Sequence, residues 1–512
     1  MLAVLVLLVL LAPVAGWLLV RASLPKLDGS LELAGLAEPV TVERDADGVP
    51  TVRARNPEDL ARTLGFLHAQ DRFFQMDLLR RQGAGELSEL FGPLTLTMDR
   101  EARQHLFRRR AAAVVQGAAP GQLRQVDAYV AGVNAGLAAL GARPWEYLAL
   151  RATPRPWTRE DCVLVMDAMA ANLETDGSDE RSRLAIARTY DDEVLAFLRP
   201  LVTERSAALD GSNAPAPPIP DASHWTPRPA APGEGPPVPV LSASAVPAAP
   251  GLLPGSNAFA LSGARSAGGG ALVANDPHLG LAVPNIWYHA SLVLPGLTAT
   301  GTTLPGVPEV VIGSNGHVAW GFTNSYVDTC DLVAVEVDPA NPGRYRVPDG
   351  DGWEPFEIVR EAIGVHGGAP QPCEVLMTRW GPLVTRPGQG GPVYARHWSE
   401  YEPGGINFGL ADLMTARSMD EALVIAHRSG IHPQNILVGD RDGNVAWTIS
   451  GPVPHRVGFD GLTPQSWADG ARRWDGFLPP EMVPVVRNPA AGQLWTANNR
   501  VVGGGALALL GV

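Results

Sequence analysis

The chain opens with an uninterrupted run of uncharged residues, Leu2 to Val20, rich in Leu and Val and closed by Arg21. Such a run is long enough to span hydrocarbon and longer than the usual core of a cleaved leader. Pro13 and Gly16 weaken a straight helix, and no basic residue precedes the run. It predicts an export signal over residues 1–22 that can also serve as a membrane anchor through residues 2–20. Val40-Thr41-Val42-Glu43-Arg44 then alternates like a strand, Asp47-Gly48 supplies a turn, and Thr51-Val52-Arg53-Ala54 returns. Asn56-Pro57 starts a helical pattern with Leu60, Leu64, Leu67, Phe74 and Leu78 on one face. Further helical stretches cover about 121–140 and 160–198, which makes residues 23–205 a mainly helical region. From 206 to 255 the hydrophobic period vanishes. Pro215-Ala216-Pro217-Pro218 and Pro236-Pro237-Val238-Pro239 predict an extended spacer. Beyond it, residues 256–512 are strand-rich. Asn257–Leu261 and Ala271–Ala274 form a candidate hairpin, and 333–337 and 444–448 are further strands.

Composition narrows the chemistry. With 512 residues, 46% of them apolar and 18% charged, the chain is globular and long enough for two to four domains. Its 56 Gly and 47 Pro predict many loops. A net charge of −13 argues against a nucleic-acid partner. Cys162, Cys330 and Cys373 are too few for a disulfide framework and match no zinc spacing. Lys26 is the only lysine, which removes the Walker A loop, the pyridoxal-phosphate Schiff base and the protein-kinase core. There is no Gly-x-Ser-x-Gly elbow and no His-Glu-x-x-His helix. Ser23-Leu-Pro-Lys26 formally matches Ser-x-x-Lys, but Pro25 disrupts the turn that would bring the two side chains together.

The junction Pro254-Gly255-Ser256-Asn257 offers a different nucleophile. Gly255 lacks a Cβ, so its carbonyl is open to attack by the Ser256 hydroxyl. An N-to-O acyl shift followed by hydrolysis of the ester would leave Ser256 as a new N-terminus. A free α-amine has a reference pKa of about 7.7–8 and can act as base for its own hydroxyl near neutrality. Gly-Ser-Asn by itself is ordinarily a turn. Gly211-Ser212-Asn213 has the same three residues but no strand after them.

Longer motifs carry a resemblance. Val49-Pro50, Gly65-Phe66-Leu67-His68-Ala69-Gln70-Asp71-Arg72-Phe73-Phe74-Gln75-Met76-Asp77, Ser256-Asn257, Ala274-Asn275-Asp276-Pro277-His278, Gly316-His317-Val318-Ala319-Trp320-Gly321 and Ala497-Asn498-Asn499-Arg500 follow one another in order. Together they resemble the penicillin acylase family, which includes the cephalosporin and acyl-homoserine-lactone acylases, within the N-terminal-nucleophile hydrolases. The resemblance implies an α+β protein with a four-layer αββα fold. It also implies an exported, periplasmic zymogen that cleaves itself between Gly255 and Ser256 and persists as an α/β heterodimer. Its implied reaction is hydrolysis of a linear amide in an N-acylated small molecule. Ser256 matches the nucleophile, Asn498 and the backbone N–H of Asn324 the oxyanion donors, and His278 a residue that organises the nucleophile. Glu180, Asp328, Asp331 and the Cys330 carbonyl match calcium ligands. The segment Ala170–Glu174 matches part of the acyl pocket.

Relative to that family the catalytic region ends early, twelve residues after Arg500, so a C-terminally truncated fold is expected. The acyl group stays open between aromatic, glutaryl and fatty chains, and the amine between a β-lactam nucleus and a homoserine lactone. Two other readings remain. One is an exported, uncut and inactive relative acting as a membrane-anchored binding protein. The other is a serine hydrolase with His278 or His289 as a separate base.

Overall fold

The computed structural model describes residues 2–174, 177–201, 206, 208–213, 216–228, 255–325, 327–388 and 391–511, without the side chains of residues 2–10. The Pro236–Pro239 run and Pro254 lie outside the described residues. A helix runs from Leu2 to Ala22. Among the described residues no helix is long and apolar enough to cross a membrane. Much of the run behind the anchor expectation falls in residues 2–10, whose side chains are outside the described set.

The helical third follows its sequence signals closely. Asn56 caps the helix Pro57–Ala84 by accepting from the Asp59 N–H at 2.8 Å, and Gly85 closes it in the left-handed region. Asp59 in turn accepts from the Ala37 and Glu38 amides, at 2.9 and 3.1 Å, which pins the chain entering the Thr41–Arg44/Pro50–Arg53 hairpin. The helix Pro120–Ala138 packs closely along Pro57–Ala84 because glycines line the contact. A Cβ on Gly132 would sit 1.9 Å from the Arg62 carbonyl oxygen, and one on Gly65 2.2 Å from that of Tyr129. The expected helical stretch 160–198 is three helices, Arg159–Leu173, Ser178–Thr189 and Asp192–Leu198. Residues from the spacer region dock onto this part. The Arg228 N–H donates to the Thr189 carbonyl at 2.7 Å, and the Trp225 ring lies against Tyr190 and Phe197.

The remainder is mainly sheet. A nine-stranded sheet begins with the N-terminal hairpin and continues through Tyr288–Leu294, Leu297–Thr303, Val310–Ser314, Val318–Asn324, Gln434–Asp440, Val445–Ser450 and Val485–Arg487. The strand Gln434–Asp440 shows how it is held. Ile436 and Val438 point into the large core shared with the helices, while Leu437 points the other way, onto Ala258, Ala260 and Leu494. A strand buried on both faces reads as a continuous apolar run, and this one is buried throughout. The residues on that second side belong to a three-stranded sheet with Gly255–Leu261 at its centre, between Leu272–His278 and Gln493–Thr496. Helices, large sheet and small sheet thus stack in that order, an α+β arrangement. The outer face of the small sheet exposes Phe259, Leu272 and Trp495.

His68 ties the helices to the large sheet. It is fully buried, with Nδ1 2.8 Å from the Tyr129 hydroxyl and Nε2 2.9 Å from Thr303 Oγ1. Burial, aided by the Arg72 charge, lowers its pKa to about 3. An unfolded imidazole takes up a proton near pH 6.5, so between these values the unfolded chain binds more protons. Stability is therefore full above pH 6.5 and falls as pH drops towards 3. At pH 4.5 the loss through His68 is about 3 kcal/mol. Denaturant unfolding at pH 7.5 and 4.5 checks this: the wild type should lose about that much more than His68→Gln over the interval.

Candidate active site

Strand register brings the sequence-predicted residues together. In the small sheet Gly255 pairs with His278, Ser256 with Pro277, and Ala258 with Thr496. The chain leaving Thr496 therefore turns back beside Ser256. Asn498 makes that turn at φ +55°, a left-handed conformation that asparagine tolerates better than most residues. Its side chain joins two elements. Oδ1 accepts the Ser256 backbone N–H, and Nδ2 donates to the Asn324 carbonyl at 2.8 Å. A primary amide carries two N–H donors, so one remains. A Cβ built on Gly255 would stand 3.5 Å from Asn498 Oδ1 and 3.8 Å from His278 Nδ1, which places both side chains at the Gly255–Ser256 bond. His278 is half-exposed, with Nε2 2.8 Å from Asp276 Oδ2. His289 is exposed on the strand Tyr288–Leu294, away from the residues that line the cavity with Ser256.

Asn324 ends the strand Val318–Asn324 and is held from several directions. Its Nδ2 donates to the Leu173 carbonyl at 3.0 Å, and its Oδ1 accepts from Gln434 Nε2 at 2.8 Å. Asn435 Nδ2 donates to the Asn324 carbonyl at 3.2 Å, and Trp447 Nε1 fixes Asn435 by donating to its Oδ1 at 2.9 Å. Asn275 stitches the two sheets together. Its Nδ2 reaches the carbonyls of Asn257 and Phe322, at 2.9 and 2.8 Å, while its Oδ1 accepts the Phe322 N–H at 2.8 Å. Sequence reasoning quoted Asn275 inside a motif without a role and missed Gln434, Asn435 and Trp447.

Two cavities meet at Ser256. The larger, about 690 Å³, is lined by Ser256, His278, Asn324 and Asn498 and by the acidic residues Glu180 and Asp328. The smaller, about 120 Å³, is mainly apolar, with Met166, Leu304, Val307, Phe322 and Ile406 in its wall. Asn172, Leu173 and Glu174 line the larger one, while Ala170 and Leu173 line the smaller. Two ionisable side chains reach this pocket. His432 is buried with Nδ1 2.8 Å from Glu400 Oε1; burial lowers its pKa, but the hydrogen bond and charge of Glu400 outweigh that and raise it. Burial alone pushes the Glu309 carboxyl up to about 7.

The expected carboxylate ligands are gathered around Arg456, although their oxygens do not all lie within 4.8 Å of one another. Glu180 Oε1 accepts the Leu332 N–H at 3.1 Å, while Oε2 is buried without a partner. Asp331 Oδ2 accepts from Arg456 Nε at 2.9 Å and Trp474 Nε1 at 2.5 Å, and Arg456 Nη2 lies 3.0 Å from Asp328 Oδ2. Burial, with the other carboxylates, raises the pKa of Glu180; burial raises that of Asp328 against the pull of Arg456. Cys330 is buried between the two aspartates, its N–H 3.4 Å from Asp328 Oδ1. Glu180, Asp328 and Asp331 face Arg456, with Arg183 also feeling the Asp328 charge, which leaves surplus negative charge, and the free Glu180 oxygen is the kind of donor a hard divalent cation takes. The donor set fits calcium in type and charge, with Arg456 covering the Asp328 and Asp331 side. Among the described residues, three His, Cys, Asp or Glu ligand atoms converge within 4.8 Å only at Asp191, Glu193 and His224, none of which lines the cavity with Ser256.

The second Gly-Ser-Asn is a different object. Ser212 is held by buried Arg500, whose Nη1 donates to Ser212 Oγ at 2.7 Å and Nη2 to the Ser212 carbonyl at 2.9 Å, and among the described residues up to 228 no strand follows it. Arg500 thus braces the segment around Ser212 and not the Asn498 amide.

Comparison with known proteins gives the same family as the motifs. The Penicillin amidase family model matches residues 39–511, and the chain belongs to that family. It is 30% identical over 504 residues to the acyl-homoserine lactone acylase QuiP of Pseudomonas aeruginosa, covering 94% of this chain and 57% of that protein. It is 31% identical over 499 residues to the penicillin acylase 2 proenzyme of Pseudomonas sp. strain SE83, covering 94% and 61%. The chain therefore spans well under two thirds of either relative. A solved thermostable penicillin G acylase from Alcaligenes faecalis aligns with a TM-score of 0.44 and 24% identity, covering 48% of this chain and 44% of that one.

Proposed function

We propose that this protein is a self-processing amidohydrolase that cleaves the amide of an N-acylated small molecule through Ser256. The observation that carries the reading is the Asn498 side chain, bonded at once to the Ser256 N–H and the Asn324 carbonyl where the two cavities meet. Cleavage of Gly255–Ser256 frees the α-amine. That amine takes the Ser256 hydroxyl proton as Oγ attacks the substrate carbonyl. The oxyanion accepts from the remaining Asn498 N–H and the Asn324 backbone N–H. Collapse expels the amine with the proton returned, leaving an acyl ester on Oγ. Water, deprotonated by the same α-amine, then releases the acid. The apolar pocket takes the acyl group and the larger cavity the amine. His278, paired with Asp276, positions the junction and is not the base. The named relatives, an acyl-homoserine lactone acylase and a penicillin acylase, support these two leaving amines as candidates.

The finer architecture belongs to the same reading. The exposed Phe259, Leu272 and Trp495 face suits a second helical layer, completing a four-layer αββα fold. The mature protein is a heterodimer that keeps residues 23–228 with the helical part, since Trp225 and Arg228 dock there, and starts its catalytic chain at Ser256. The apolar helix Leu2–Ala22 supports export to the periplasm. Calcium held by Glu180, Asp328, Asp331 and the Cys330 carbonyl would join the two chains, because Glu180 lies in the helical part and the others in the sheet part. Adding 1 mM CaCl₂ (about that concentration) to chelator-treated protein is expected to raise its melting temperature by several degrees, about 1–3 kcal/mol of binding linkage, and Glu180→Gln to remove most of the gain. No calcium-dependent shift in a scanning experiment would exclude the site.

N-terminal sequencing with intact mass on the exported protein tests the main proposal. A chain beginning Ser-Asn-Ala-Phe, together with acid release from phenylacetyl or fatty-acyl amides, is the expected result. An uncut chain without hydrolysis would favour the inactive binding protein.

A further inference from the structure

Two side chains in the wall of the apolar pocket beside Ser256 each carry a buried polar atom that the fold leaves unsatisfied. Glu309 is 3% exposed and its Oε2 has no hydrogen-bond partner. Trp287 Nε1, in the same wall, is also buried without one. Buried polar groups are nearly always paired, and an unpaired one costs stability, so two in a single pocket call for a ligand that pairs them. Much of the rest of that wall is apolar, including Met166, Met169, Leu304, Val307 and Val311, and its other polar side chains Thr323, Asn324, His432 and Gln434 already have hydrogen-bond partners.

The surroundings of Glu309 decide what it recognises. No cation balances it: burial alone accounts for its raised pKa. The Cys162 thiol, itself buried and neutral, is the titratable group that feels its charge. His432, at the same pocket, is already committed to Glu400. A carboxyl in such a place is substantially protonated near neutrality and then both donates and accepts a hydrogen bond. The indole N–H only donates. A hydroxyl or keto oxygen can accept from either group, and a hydroxyl can also donate to Glu309. An acyl carboxylate would instead bring a charge into a mainly apolar pocket where no cation balances it.

We propose that Glu309, with Trp287, is the acyl-specificity determinant, selecting acyl groups that carry a hydroxyl or keto oxygen over plain hydrocarbon and over carboxylate-ended chains. This rests on the acylase reading and narrows its substrate class.

The test uses matched p-nitroanilides of phenylacetic and 4-hydroxyphenylacetic acid, of octanoic, 3-hydroxyoctanoic and 3-oxooctanoic acid, and of glutaric acid. In the wild type at least one oxygen-bearing amide should exceed its plain match ~10–100-fold in kcat/KM, with the glutaryl amide poorest. Glu309→Leu should abolish or reverse that ratio, Glu309→Gln should keep most of it, and Trp287→Phe should reduce it. Glu309→Leu should melt no lower than the wild type, since it removes an unpaired buried carboxyl. Ratios equal within about twofold in wild type and Glu309→Leu, or a wild-type preference for the plain chain in every pair, would overturn the proposal. If no amide is hydrolysed, the acylase reading fails separately. Calorimetric titration of the same pairs then decides: tighter binding of an oxygen-bearing amide to wild type than to Glu309→Leu supports the selector role, and equal binding overturns it.

Discussion

Replacing Ser256 by alanine is expected to leave the polypeptide as one uncut chain and to lower acyl-amide hydrolysis by ~10⁴–10⁶-fold, to background. Both losses come from one oxygen. The hydroxyl is the group that attacks the Gly255 carbonyl in maturation and the substrate carbonyl in turnover, and the methyl that replaces it can do neither. Folding should survive. Ser256 contributes its backbone N–H to Asn498, and that contact is independent of the side chain. Strand pairing from Gly255 to Leu261 is likewise made by backbone. Intact mass and N-terminal sequencing read the first loss, and p-nitroanilide turnover the second. Mature chains formed from Ser256→Ala would exclude self-cleavage by this hydroxyl. Turnover by an uncut chain that keeps Ser256 would instead favour a serine hydrolase with a separate histidine base, which His278→Ala or His289→Ala would then silence.

Much of this site was legible in the sequence because the family motifs sit on strand ends, where backbone register converts sequence spacing into spatial contact. Ser256 and Asn498 are 242 positions apart; the first flanks a predicted strand, the second follows the strand Gln493–Thr496 that only the structure shows, and pairing of Ala258 with Thr496 carries the second residue to the first. The hairpin 257–261/271–274 was visible as two short runs flanking a Gly-rich turn, although the real strands extend to Gly255 and His278 and so include the junction itself. The helix at Pro57 announced its start through Asn56-Pro57, while Gly85, which closes it, was not singled out. What stayed hidden depends on long-range side-chain geometry. Asn435 looks like any strand polar residue until it is seen to donate to the Asn324 carbonyl while Trp447 holds its other end. Glu309, in Val307-Pro308-Glu309-Val310, has the look of a surface residue in a turn; only packing against the pocket buries it. Arg456, 125 positions from Asp331, gave no sign that it would share the acidic cluster with any cation.

The Asn498→Ala variant is expected to fold and to lose ~10²–10³-fold in kcat, with slower cleavage of Gly255–Ser256. The amide does two things at once, and alanine removes both. An N–H aimed at the developing oxyanion stabilises the transition state more than the bound substrate, so its loss should fall on kcat and leave KM nearly as it was. The Oδ1 that accepts the Ser256 N–H also orients what becomes the α-amine after cleavage. Without it the base is free to rotate away from Oγ, which adds to the loss. Asn498→Asp separates these effects. A carboxylate keeps the acceptor for the amine but has no N–H for the oxyanion and faces it with a like charge, so this variant should be at least as slow as alanine. The left-handed turn at residue 498 makes alanine costlier than asparagine by a modest amount, on the order of 1 kcal/mol, too little to unfold the small sheet and visible as a shift in melting temperature. An Asn498→Ala enzyme with wild-type kcat would exclude this side chain from the oxyanion hole, and retained kcat with normal cleavage would exclude it from both steps.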